Sequence, residues 1–74
     1  MDHLRDFLSS LEPERMVARY IPRTGTIKKT AAEWLNDLAD VELWTFAWPW
    51  KDRGGHWETS NSIWTPLAAE GEAT

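Results

Sequence analysis

Aromatic side chains recur at every second position between Glu42 and Trp50. The four aromatic residues of this stretch are Trp44, Phe46, Trp48 and Trp50. Because successive side chains of a β-strand point to opposite faces, the spacing predicts a strand over residues 42–50 with all four rings on one face. Pro49 cannot donate a hydrogen bond to a neighbouring strand, which places this strand at a sheet edge or a bulge. The rest of the chain must support or cover the aromatic face.

A turn and a second strand follow the aromatic stretch. Residues 51–55 include two glycines, which readily adopt the positive φ angles of tight hairpin turns. The sequence therefore predicts a return strand over residues 56–64, antiparallel to the first. A two-residue loop puts Trp57 on the aromatic face, whereas a three-residue loop puts His56 and Trp64 there, so the register stays open.

Two amphipathic helices are predicted from apolar residues at helical spacing. The first stripe comprises Leu4, Phe7, Leu8 and Leu11. It predicts a helix over residues 3–11. The second stripe comprises Ala31, Trp34, Leu35 and Leu38. Thr30 and Glu33 form a capping-box pattern at its start, in which each side chain accepts a hydrogen bond from the other residue's backbone N–H. This second helix is predicted to end near Ala39 or Asp40.

Residues 13–21 fit either a helix or a short strand. The strand would turn at residues 22–25 and return through residues 26–29. Pro22 and Gly25 are strong turn signals, so the sequence favours a hairpin for this segment.

Together these elements predict an α+β fold in which two short helices pack on a Trp-rich antiparallel β-hairpin, with a second short hairpin if residues 13–29 form one. We expect one compact domain over residues 1–64. The tail over residues 65–74 has little apolar surface to bury and is expected to be disordered. Most aromatic rings should pack against the helices, and those near the turn should remain exposed.

The composition limits how a chain of 74 residues can be stabilised. The absence of cysteine excludes disulfides and cysteine-based metal sites, while six tryptophans can supply core area that the length does not. No apolar run approaches the roughly 20 residues that span a bilayer, and the first residues lack the pattern of a signal peptide. We therefore expect a cytoplasmic protein.

Charged residues are segregated along the chain, although the net charge is only −4. Residues 15–29 carry five basic side chains and no acidic one, and the segments on both sides are acidic. The basic residues are Arg15, Arg19, Arg23, Lys28 and Lys29. Blocks of opposite charge can attract one another within the fold, or the basic block can contact the phosphates of a nucleic acid.

Signals for catalysis are weak. The histidines are His3 and His56, no cysteine nucleophile exists, and the serines lie outside any nucleophile-elbow pattern. His56 and Glu58 are two residues apart, but two ligands make a poor metal site. We predict a protein that is not an enzyme and has no cofactor and no bound metal.

The function that the sequence favours is binding to another protein. Exposed aromatic side chains beside arginine and lysine are typical anchors of protein interfaces. The candidate anchors are Trp48, Trp50 and Trp57, with Lys51 and Arg53 to orient the partner. Small acidic proteins of phages and mobile elements that inhibit or modulate a larger host complex have this general character, and we take that role as the working hypothesis.

Three other hypotheses stay open. The segment Thr30-Ala31-Ala32-Glu33-Trp34-Leu35 resembles the opening of the first helix in small helix-turn-helix and excisionase-like proteins. The resemblance implies nucleic-acid binding with a following hairpin as a wing, but Asp37, Asp40 and Glu42 stand where a basic recognition helix is expected. The acidic row of Glu33, Asp37 and Asp40 suggests instead a mimic of nucleic acid. A homodimer built on the first helix is the third hypothesis.

Overall fold

The computed structural model describes residues 3–50 and 55–67, with the backbone alone at Trp50. Within these ranges it contains three short helices and five strands. The elements are α1 (Leu4–Ser9), β1 (Met16–Ile21), β2 (Gly25–Thr30), α2 (Ala31–Asp37), α3 (Asp40–Leu43), β3 (Trp48–Trp50), β4 (His56–Thr59) and β5 (Ser62–Pro66). This arrangement confirms the α+β class predicted from the sequence.

The five strands form one antiparallel sheet in the order β2-β1-β5-β4-β3. β1 and β2 form a hairpin, and β3, β4 and β5 form a meander. The pairing of β1 with β5 joins these two units, with Arg19 opposite Trp64 and Tyr20 opposite Ile63. β3 is an edge strand, which agrees with the expectation from Pro49.

The hairpin favoured for residues 13–29 is confirmed. Its turn lies between the paired residues Ile21 and Gly25, and the Thr24 N–H donates to the Ile21 carbonyl at 3.0 Å. Gly25 has a φ of +119°, a backbone conformation in which a side chain would be strained. Arg23 also has a positive φ, 71°.

The capping box at the start of α2 is also confirmed. The Thr30 N–H donates to the Glu33 carboxylate at 2.8 Å, and the Glu33 N–H donates to the Thr30 hydroxyl at 3.1 Å. The Ala31 N–H donates to the Arg15 carbonyl at 2.8 Å, so the loop before β1 supplies a further acceptor. α2 ends at Asp37, earlier than the sequence predicts.

The predicted aromatic strand over residues 42–50 is wrong at its N-terminal end. Asp40–Leu43 is a short helix instead, and the strand is confined to Trp48–Trp50. Leu43 is buried in the core, and a four-residue helix has no stability of its own. Tertiary contacts therefore override the local preference of this segment for a strand.

The predicted return strand over residues 56–64 is wrong as well. It is two strands, β4 and β5, joined by a tight turn at Ser60 and Asn61. Neither turn residue has a positive φ, so the turn does not need glycine, and no glycine or proline marks it in the sequence. The polar run from Thr59 to Ser62 was the available signal.

The register between β3 and β4 rules out both two-residue loops. Trp50 pairs with His56, Pro49 with Trp57, and Trp48 with Glu58. This is the register of the three-residue loop, which places His56, rather than Trp57, opposite the aromatic positions of β3. Trp57 therefore belongs to the other sheet face, which the helices cover. The same alternative is wrong for Trp64, which lies in β5, pairs with Trp57 and is buried in the core.

The domain boundary at residue 64 falls inside β5. Thr65 and Pro66 pair with Ala18 and Val17, and the Leu67 N–H donates to the Met16 carbonyl at 2.9 Å. The C-terminal segment thus contributes to the sheet up to residue 67, and the rest of the predicted tail, residues 68–74, lies outside the described residues.

The helices pack on one face of the sheet and form the hydrophobic core with it. The core residues are Leu4, Phe7, Leu8, Val17, Ala31, Trp34, Leu43 and Trp64. Leu11, Leu35, Leu38 and Trp57 pack against this cluster. The apolar stripe of α1 therefore packs within the core of its own chain.

Leu8 and Val41 provide a matched test of this core. Leu8 is fully buried, whereas Val41 is 76% exposed. Leu8→Ala should lower the free energy of unfolding by about 2–5 kcal/mol because it leaves a cavity. Val41→Ala should change it by less than about 0.5 kcal/mol. Urea denaturation followed by circular dichroism measures both, and equal losses would contradict the core described above.

Candidate functional site

Three aromatic side chains at alternate positions are exposed between the end of α3 and the first residue of β3. The exposed fractions are 54% for Trp44, 52% for Phe46 and 58% for Trp48. Ala47, which lies between the last two, is only 4% exposed. We call Trp44, Phe46 and Trp48 the aromatic strip. The exposed rings and the buried Ala47 agree with the predicted alternation, and about half of each ring surface faces solvent.

The start of α1 holds the strip in place. The Leu4 N–H donates to the Thr45 carbonyl at 2.9 Å, and His3 forms an isolated antiparallel bridge with Phe46. The Thr45 hydroxyl donates to the Glu42 carbonyl at 2.6 Å, which closes the end of α3. The backbone of the strip is thus fixed from both sides by hydrogen bonds.

His3 and Arg5 complete an exposed cluster around two rings of the strip. The imidazole of His3 stacks on Phe46 with ring centroids 4.9 Å apart, and it meets Trp44 edge-on at 5.3 Å. The Arg5 guanidinium lies over the Trp44 ring, 5.3 Å from its centroid. A cation at this distance is attracted by the negative face of the ring.

Asp6 adds a carboxylate beside this cluster. The backbone N–H of His3 donates to Asp6 at 3.1 Å, and the His3 imidazole nitrogen Nδ1 is 3.5 Å from the same carboxylate. The hydrogen bond from the His3 backbone lowers the pKa of Asp6 below its usual value of 3.8. Asp6 is therefore negatively charged at neutral pH.

Arg19, one of the predicted nucleic-acid contacts, is buried. Its Nε donates to the Ser62 hydroxyl at 2.8 Å, and its Nη2 donates to the Glu42 carboxylate at 2.8 Å. Its guanidinium also lies 4.7 Å from the ring centroid of Trp64 and 5.9 Å from that of Trp34. This side chain holds the fold together and cannot reach a nucleic acid at the surface.

Two more of the basic residues form ion pairs within the chain. Arg15 lies 3.2 Å from Glu12, and Lys29 lies 2.8 Å from Asp37. The partners come from the acidic segments on both sides of the basic block, so the segregated charges attract one another within the fold. Glu33 and Asp37, which belong to the proposed acidic mimic, are engaged in the capping box and in the pair with Lys29. The remaining basic residues of the block, Arg23 and Lys28, are exposed.

The structure separates the residues predicted to anchor a protein partner. Trp48 is exposed as predicted. Trp57 is half-buried and stacks on Phe7 with ring centroids 5.2 Å apart, because β4 turns it towards the helices. The side chain of Trp50 and the whole of Lys51 and Arg53 lie outside the described residues.

Sequence reasoning missed the rest of the exposed cluster. Trp44 and Phe46 were expected to pack against the helices, and His3 and Arg5 were not considered for binding. Ala47 could have indicated that the rings face outward, because a small apolar residue between two large rings fits the inward-facing position of an alternating segment. The contribution of α1 depends on a non-local bridge that no local pattern indicates.

Comparison with known proteins adds no assignment. A scan against protein-family models, a search of curated proteins and a search of solved structures each found no match to this chain. The described helices include none that is long and apolar enough to cross a membrane. In the same ranges no three histidine, aspartate or glutamate side chains are grouped to hold a metal ion. α3 has four residues and carries Asp40 and Glu42, unlike the basic second helix that the helix-turn-helix resemblance implies.

Glu42→Gln tests the buried network of Arg19. The change leaves the guanidinium of Arg19 in the core without its charged partner, so the free energy of unfolding should fall by about 1–2 kcal/mol. Glu14→Gln removes an exposed carboxylate and should have almost no effect. Urea denaturation compares the two variants, and equal stability of both would contradict a structural role for this pair.

Asp37 predicts a dependence of stability on pH. The hydrogen bond from Lys29 lowers the pKa of Asp37 from its usual value of 3.8. Because the pKa of Asp37 is lower in the folded state, its charge stabilises the fold at pH values above 3.8. This stabilisation is lost as the pH falls through the pKa of the folded state. Asp37→Asn should therefore be less stable than the native chain at pH 7, and the difference should shrink as the pH falls below the usual value of 3.8. Urea denaturation of both proteins over this pH range measures the difference, and a constant difference would contradict the prediction.

Proposed function

We propose that this protein is a non-enzymatic interaction protein that binds another protein through the aromatic strip. The observation that carries the proposal is the exposure of three large rings, each by more than half, on consecutive alternate residues. Exposed apolar surface of this kind is unfavourable in water, and a contiguous patch of it is typical of an interaction site.

The rigidity of the strip supports the same proposal. Trp44 and Phe46 are held by ring contacts with His3. Thr45, which lies between them, accepts a hydrogen bond from the Leu4 N–H and donates one from its hydroxyl to the Glu42 carbonyl. A surface that is ordered before binding loses little conformational entropy when a partner docks. Tryptophan is also among the residues that most often dominate the binding energy of protein interfaces.

The proposal modifies the set of anchors expected from the sequence. Trp48 remains, Trp44 and Phe46 are added, and Trp57 is withdrawn because it packs against the core. A cytoplasmic location and a role as inhibitor or modulator of a larger complex belong to the same proposal. They rest on the small size of the chain and on its lack of cysteine.

Nucleic-acid binding is the weaker alternative. Of the basic block, Arg23 and Lys28 are exposed, while the other three residues are engaged in ion pairs within the chain. Few phosphate contacts give weak binding that salt suppresses readily.

Capture of a partner from a native lysate tests the proposed function. Trp44→Ala and Trp48→Ala should each weaken binding of the captured protein by about 2 kcal/mol or more, roughly thirtyfold. Ile27→Ala is the matched control, since Ile27 is an exposed apolar residue on β2, at the opposite edge of the sheet. The partner should persist after nuclease treatment and in high salt.

Two results of that capture would contradict the proposal. One is a protein partner that binds both tryptophan variants as tightly as the native chain. The other is recovery of nucleic acid alone, lost on nuclease treatment, which would favour the basic block. Circular dichroism of each variant establishes that the comparison is made between folded proteins.

A further inference from the structure

We infer that the aromatic strip recognises a protein segment that presents an arginine or lysine beside apolar residues, and that Arg5 occupies the cation position until the partner displaces it. This inference rests on the proposed function, because it names the chemistry of the partner that the same surface binds.

Arg5 supplies the first observation. Its guanidinium lies 5.3 Å from the centroid of the Trp44 ring, although Arg5 itself is exposed and Trp44 is half-exposed. The ring face therefore already accommodates a guanidinium from this chain. Arg5 also stands in the first turn of α1, where the helix dipole disfavours a positive charge. An exposed and weakly held cation of this kind can be displaced at small cost.

Carboxylates beside the strip supply the second observation. Asp40 lies four residues before Trp44 and is exposed, and its carbonyl accepts the Trp44 N–H at 3.0 Å. Residues four apart in a helical turn lie on the same side, so Asp40 and Trp44 share a side of α3. Glu58 pairs directly with Trp48 in the register of β3 and β4. Each of the two tryptophans of the strip thus has an acidic neighbour.

Asp6 extends the acidic border to the remaining ring. It is hydrogen-bonded to the backbone of His3, whose imidazole stacks on Phe46. Its pKa is lowered by that bond, so it retains its charge at neutral pH. Arg5 is the cation that the described contacts place over a ring of the strip. The complementary partner is therefore cationic at the rings and apolar beside them.

Displacement follows from this geometry. A partner arginine can lie over Trp44 only if the Arg5 guanidinium moves away, because one ring face accommodates one cation. Aliphatic side chains of the partner then cover the exposed part of Phe46. Neither the tryptophan ring nor the carboxylates have to move, so recognition needs the rearrangement of one surface side chain.

Synthetic peptides test the recognition of the cation. The probe is a fluorescein-labelled peptide Gly-Leu-Arg-Ala-Leu-Arg-Gly, and its control carries citrulline, a neutral isostere, in place of both arginines. Fluorescence anisotropy with the full chain should give roughly three- to tenfold tighter binding of the arginine peptide at low salt. This preference should shrink at high salt, because the carboxylates of the border are exposed or half-buried. Equal affinities for the two peptides, or no binding of either, would overturn the inference.

Variants of Arg5 test the displacement. Arg5→Gln should tighten binding of the arginine peptide by roughly two- to fivefold, since it frees the ring and removes a like charge. Arg23→Gln is the matched control, because it removes the same charge from the turn between β1 and β2, and it should leave affinity unchanged. Weaker binding by Arg5→Gln would show that Arg5 contacts the partner and would overturn displacement.

The indole N–H signals of the chain, measured by ¹⁵N NMR, locate the contact. Trp44→Phe identifies the signal of Trp44, which should shift when the arginine peptide is added. A shift confined to other tryptophans would overturn the assignment of the site.

Sedimentation of the chain alone tests whether a second copy is the occupant. Self-association that Trp44→Ala abolishes would overturn the inference, because the strip would then bind another copy of this chain.

The two proposals fail separately. Loss of a captured protein partner in Trp44→Ala, together with peptides that show no preference for arginine, leaves the proposed function intact and removes this inference. A captured partner that ignores the strip removes the proposed function, whatever the peptides show.

Discussion

The buried guanidinium of Arg19 constrains more of this fold than any other single group. It lies beside the ring of Trp64 and near that of Trp34, and it is hydrogen-bonded to Ser62 and Glu42. A buried charge without partners is strongly unfavourable, so the fold has to place both partners within hydrogen-bond distance of the guanidinium. Ser62 comes from β5 and Glu42 from α3. Arg19 of β1 thus requires β5 to pair beside β1, so that Ser62 can reach it. It also requires α3 to lie on the helix side of the sheet, so that Glu42 can reach it.

This requirement explains why the aromatic stretch is not one long strand. Nothing in the sequence of residues 42–50 indicates the ion pair with Arg19, which lies 23 residues before Glu42. Local alternation predicted which side chains share a side, and the exposure of Trp44, Phe46 and Trp48 agrees with it. It could not predict the secondary structure at Glu42 and Leu43, because a distant ion pair and burial of Leu43 decide it.

Elements whose stabilising contacts lie within a few residues were predictable. The capping box needs only Thr30 and Glu33, and the turn of the first hairpin needs only Pro22 to Gly25. The turn at Ser60 and Asn61 was missed, since its type uses neither glycine nor positive φ. The candidate site was only half predictable for the same reason. Trp48 follows from the alternation, whereas His3 and Arg5 reach the strip through a bridge across more than 40 residues of sequence.

The exposure of the aromatic strip follows from how the core is filled. Trp34 and Trp64 are buried with their ring centroids 4.9 Å apart, and α1 contributes its apolar stripe to the same space. Ala47 takes the inward position of the strip and is almost completely buried. Turning the segment over would force a large ring into the volume of one methyl group, and overpacking of that kind is unfavourable. Packing within the chain therefore fixes which side of the strip faces water, and no partner is needed to set that orientation.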